Sequence, residues 1–97
     1  MGRLCNPARG EVVAVLGGTE RRLCLTLGAL AELEGAFGAD GIEALAGRLG
    51  RLSARDLSVV LSALLRGGGE EACDLGAVDF REAAEAVART FRAAARA

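Results

Sequence analysis

The chain has 97 residues with 12 basic and 13 acidic side chains, a formal charge of -1, 52% hydrophobic residues and 3% aromatic residues. This is one domain's length, with enough apolar material to fold and a shallow Leu, Val and Ala core, so a multidomain enzyme and a disordered chain are both excluded. Every basic residue is arginine and histidine is absent, which removes the usual general base and metal ligand, and the near-neutral charge excludes nucleic-acid binding through bulk electrostatics.

Residues 1–10, with Asn6, Pro7 and Gly10, show no periodicity and are expected as an extended lead-in. The β-branched run Val12 to Leu16 and the alternating stretch Arg22 to Thr26 predict two strands joined by Gly17-Gly18-Thr19-Glu20, so residues 11–26 form a β-hairpin. Alternation puts Leu23 and Leu25 on one face and Cys24 on the other, where it is either partly exposed or packed under a neighbouring subunit. A two-stranded hairpin is marginal alone, and its two edges leave homo-oligomer formation through it open.

Thr26 stands where an N-cap should, and Leu27, Leu30, Leu33 and Phe37 recur at helical spacing up to Gly38, a left-handed cap. Asp40 and Glu43 have capping-box spacing and open a shorter helix bearing Ile42, Leu45, Ala46 and Leu49, which ends at Gly50. Ser53 and Asp56 start a third helix that buries Leu57, Val60, Leu61 and Leu64 and ends at Gly67-Gly68-Gly69, read as a flexible linker. Residues 70–78 are expected as a loop with one helical turn. Asp79 and Glu82 open a final helix with an apolar stripe of Phe80, Ala83, Ala84, Val87, Phe91 and Ala94.

The fold class expected is α+β, one domain over residues 1–97 with an N-terminal β-hairpin and a small bundle of three main α-helices over 27–97. Leu27, Leu30, Leu33, Phe37, Leu45, Leu61, Leu64, Phe80, Val87 and Phe91 are the predicted core.

Few residues carry chemistry. Gly17-Gly18-Thr19 is no phosphate loop, because the chain has no lysine and a strand follows. Cys5, Cys24 and Cys73 are too irregularly spaced for a disulfide framework or a metal knuckle, and no histidine can activate them. Catalysis, cofactors and metals are therefore not expected. The apolar runs are too short to span a membrane and no targeting segment is visible, so a cytoplasmic protein with reduced thiols is expected. The one candidate binding surface is on the final helix. Arg89, Arg92 and Arg96 occupy one side of it, where they match the helix dipole as a solvated face or flank a partner groove. Ala83, Ala84, Ala88, Ala94 and Ala95 keep the helix surface low enough for a helical partner to approach, and Ala88, at the edge of the apolar stripe, is where a bulky residue is expected to disturb partner contact more than folding.

Thr26-Leu27-Gly28-Ala29-Leu30 with Leu33, and Ser53-Ala54-Arg55-Asp56-Leu57, both following a hairpin, resemble the tail assembly chaperone family of gene transfer agents, also described as a phage tail tube protein family. The resemblance covers nearly the whole chain. It implies a non-enzymatic protein that binds the tape measure protein and aids assembly of the tail tube protein, or else a structural tail component of the particle. Outside a phage context the alternative is a small regulatory interaction module. The family supplies no catalytic or ligand residues, and the matching motifs fall at helix starts.

Overall fold

The computed structural model describes residues 10–71 and 73–96; the expected lead-in over residues 1–9 lies outside them. Two strands, β1 (Glu11–Leu16) and β2 (Thr19–Cys24), are followed by four helices, α1 (Leu27–Phe37), α2 (Gly41–Ala46), α3 (Ala54–Gly67) and α4 (Phe80–Arg96). Single 3-10 turns at Leu49–Arg51 and Leu75–Ala77 link them. The architecture is the α+β arrangement expected from the sequence, with α2 the short member beside three long helices.

β1 and β2 pair antiparallel with Leu16 opposite Thr19 and Glu11 opposite Cys24. The turn is only Gly17-Gly18, both at positive φ of 61° and 84°, the type I′ geometry that matches strand twist and that glycine adopts without strain. β2 therefore begins at Thr19 and ends at Cys24, earlier than the Arg22 to Thr26 stretch expected. Alternation sends Val12, Ala14, Leu16 and Leu23 inward, where all four are buried.

Local chemistry sets most helix ends. Thr26 Oγ1 accepts from the Ala29 amide at 3.1 Å and Ser53 Oγ from the Asp56 amide at 3.1 Å, each satisfying an amide of the first turn. Gly38, at φ 63°, closes α1 by donating its amide to the Glu34 carbonyl. The box expected at Asp40 does not form. The Gly41 amide goes instead to Glu34 Oε2 at 2.7 Å, so the previous helix caps α2. α2 also stops at Ala46, and Leu49 falls in the following 3-10 turn.

The predicted core is corrected at two places. Leu27 is 84% exposed, because each step of three residues turns the helix by roughly -60° and two such steps carry it about 120° from Leu33. Ala29, four residues before Leu33, is buried in its place. Phe80 is 59% exposed although its angle is right: as the first residue of α4 it has no preceding turn beside it. Leu33, Leu45, Leu61, Leu64, Val87 and Phe91 are buried as expected, and Leu30 and Phe37 pack partly buried against them.

Gly67 and Gly68 are a packing device and no flexible linker. A Cβ on Gly67 would overlap the Cys24 carbonyl oxygen, and one on Gly68 would overlap the Arg22 carbonyl oxygen. The end of α3 thus lies directly on the β2 backbone, closer than any side chain allows. Cys24, beneath this crossing, is buried within the single chain and needs no neighbouring subunit to cover it.

This geometry predicts opposite outcomes for Gly→Ala changes at the crossing and inside α1. Gly67→Ala or Gly68→Ala should destabilise by about 2–3 kcal/mol, because backbone must move to admit the methyl group. Gly35→Ala, inside α1 with open space around its Cβ position, should stabilise by about 0.5–1 kcal/mol. Urea unfolding of the three variants measures both signs.

Candidate interaction surface

The register decides which backbone groups of the hairpin face outward. Counting from the Leu16 and Thr19 pair, hydrogen-bonded and open pairs alternate, so Val13 and Arg22 direct their N–H and C=O groups away from each other, toward the two edges. Both edges are occupied there by side chains of the same chain. Arg89 Nη2 donates to the Val13 carbonyl at 3.1 Å on the β1 edge. On the β2 edge the Arg22 amide donates to Glu70 Oε2 at 3.0 Å, while Arg21 Nη1 pairs with Glu70 Oε1 at 3.3 Å. Arg22 also pairs with Glu11 at 3.8 Å, both side chains being largely buried. At the tip, the Gly17 amide donates to Glu82 Oε1 at 3.3 Å. Glu82 therefore tethers the turn of the hairpin rather than completing a capping box with Asp79, whose Oδ1 alone accepts from the Arg81 and Glu82 amides.

The four residues singled out on α4 differ in their contacts. Arg89 is spent on the sheet edge, whereas Arg92 and Arg96 are exposed and have no ion pair among the described residues. Ala88 is half-buried, as is Ala84 one turn before it. On helical geometry the four fall within an arc of roughly 100°, with Arg89 and Arg96 about 20° apart, so it is the Val13 carbonyl that distinguishes Arg89. Sequence reasoning missed Glu70; its one signal was an acid placed directly after the glycines.

Apolar surface remains open elsewhere. Ala54, Leu57, Ser58 and Leu61 of α3, Leu75 and Val78 of the connecting loop, and Phe80 and Ala83 of α4 line a depression of about 170 Å³. Ser58 Oγ donates back to the Ala54 carbonyl, so no unsatisfied polar group enters the depression from that side. Among the described residues, the large hydrophobic side chains left exposed are Val15, Leu27 and Phe80. No group of three acidic or cysteine side chains that could hold a metal occurs among these residues, and no helix of theirs is long and apolar enough to cross a membrane.

The edge contacts predict a graded stability series. Glu70→Ala should cost about 1.5–3 kcal/mol, since a partly buried carboxylate accepts from both backbone and guanidinium. Arg89→Ala should cost about 0.5–1.5 kcal/mol, and Arg92→Ala about 0.5 kcal/mol or less. Equilibrium urea denaturation ranks the three.

A family model described as "Phage tail tube protein, GTA-gp10" matches residues 9–97, from just before β1 through the whole of α4. Neither a curated protein nor a solved structure matches the chain. The match takes in the capped hairpin, the glycine crossing and all four helices, and with it the chain belongs to the GTA-gp10 phage tail tube protein family and has a phage-like tail role.

Proposed function

We propose that the protein is a non-catalytic assembly factor of a gene transfer agent tail, acting in the cytoplasm by binding other tail proteins, the tape measure protein first among them, before the tube closes. The observation that supports this is that, among the described residues, the large hydrophobic side chains left exposed are only Val15, Leu27 and Phe80. A permanent lattice subunit buries roughly 2,000 Å² or more in largely apolar contacts, and an isolated copy displays that surface. The occupied strand edges point the same way, since strand addition at mid-hairpin would first have to displace Arg89 or Glu70.

A second reading, a structural tube component, rests on the description of the family itself. The two differ in where the protein ends up. Quantitative mass spectrometry of purified particles should find an assembly factor at well under one copy per tube ring and abundant in the producing cells. A stoichiometric amount in the particle would establish the tube reading instead.

The half-buried edge of α4 gives a finer test. Ala88→Glu should shift the thermal midpoint by less than about 4 °C and weaken co-purification with the tape measure protein about tenfold. Wild-type recovery, or unfolding of the variant, would remove Ala88 from the contact.

A further inference from the structure

The depression between α3 and α4 opens at Phe80, and its loop side has a single sign of charge. Glu71, Asp74 and Asp79 are exposed on the segment that supplies Leu75 and Val78 to the lining, and the sequence from Gly67 to Phe80 holds no basic residue. Leu75 is shared with a second depression of about 120 Å³, lined also by Ser62, Leu65, Arg66, Glu70, Glu71 and Cys73. The two meet at Leu75 as one trough along α3, its floor apolar at the Phe80 end and its lining polar toward Glu70 and Glu71. Arg66, at its far end, is ion-paired with Glu32, so the acids of the loop side are not neutralised from there. Arg55 and Arg81, the exposed basic residues nearest in sequence to the first depression, belong to the first turns of α3 and α4 and not to the loop. The charge is therefore one-sided, along the loop.

We infer that this trough receives an amphipathic helix of a tail protein whose apolar stripe covers Phe80, Leu75 and Leu61 and whose loop-facing edge carries lysine or arginine. The inference rests on the assembly-factor reading and adds the site and the chemistry of the partner. An apolar floor gives affinity to any helix with an apolar stripe, while the acidic rim selects one with basic residues along the matching edge and rejects an acidic one. Phe80 is the anchor. An aromatic ring left largely exposed at the mouth of an apolar trough is the kind of residue that dominates binding when covered. Ser58, exposed on the α3 wall, is where a long side chain would fill the trough without disturbing the core.

The test uses the full chain and two synthetic 18-residue helical peptides with the same leucine stripe, one with lysine and one with glutamate on its polar face. Fluorescence anisotropy should show the lysine peptide bound and the glutamate peptide at least about tenfold weaker, with the difference shrinking as salt rises. Phe80→Ser and Ser58→Arg should each weaken the lysine peptide about tenfold, and Glu71→Arg should weaken it severalfold. Equal binding of both peptides, or no effect of Phe80→Ser and Ser58→Arg, overturns the inference. Sedimentation of the free protein supplies another arm: a dimer that dissociates in Phe80→Ser would assign the trough to a second copy instead. Co-purification separates this inference from the reading beneath it. If the wild-type chain captures the tape measure protein and Phe80→Ser captures it equally well, the trough assignment fails and the assembly role stands. If the wild-type chain captures no tail protein yet binds the lysine peptide through Phe80, the assembly role and the tail-protein occupant both fail, and what stands is the preference of the trough for a basic amphipathic helix.

Discussion

The architecture hangs on one close approach, the backbone of α3 resting on the backbone of β2 at Gly67 and Gly68. A side chain at either position would push the helix away from the strand by the width of a methyl group or more, and everything downstream would move with it. Glu70 follows two residues later and reaches the Arg22 amide because the crossing has already brought the chain to the β2 edge. Leu64 and Leu65, in the last turns before the crossing, are buried, and interior packing at crystal-like density does not absorb such a shift without loss.

The same crossing explains how so small a sheet persists. Two strands bury one face and expose two edges, which normally needs a third strand or another chain. Here the third and fourth partners are side chains. A carboxylate stands in for a neighbouring strand's carbonyl on one edge, and a guanidinium stands in for its amide on the other. Charged groups suit this role because their hydrogen bonds are stronger than neutral ones and because they keep the edge unattractive to a foreign strand.

What was legible in the sequence is what is local. Thr26, Ser53 and Gly38 act within four residues of themselves, and the chemistry of an N-cap or a left-handed glycine is the same in any fold. The hairpin was legible because a two-glycine turn and β-branched residues coincide, though its register was displaced until the turn length was known. The errors came from geometry that accumulates or acts at a distance. Leu27 was lost to the angular drift of a three-residue spacing. Asp40 lost its cap because Glu34 came from the preceding helix, and Glu82 abandoned its box for an amide 65 positions away. The candidate surface depends on the same distinction. Arg89, Arg92 and Arg96 look alike along the helix, and only a carbonyl 76 residues distant separates the first from the others. Ala88 kept the edge position that its angle implied. The trough at Phe80 was invisible, because the residue's spacing matched a core stripe and nothing local marks where a helix outruns its neighbours.

The ties between β1 and α4 have a bearing on the order in which the molecule can be made. Gly10 lies against Ala94, Val13 receives Arg89 and Gly17 donates to Glu82, so the strand runs antiparallel along nearly the whole helix. Such contacts close the longest loops in the chain, and their closure entropy is met only once both ends exist. During translation the hairpin and α1 can form from contiguous sequence, and α3 can then cross β2. Throughout that interval the outer edge of β1 has no guard, since Arg89 has not yet left the ribosome. For the duration of roughly seventy peptide bonds, several seconds at ordinary elongation rates, a nascent chain is open to strand pairing that the finished protein forbids.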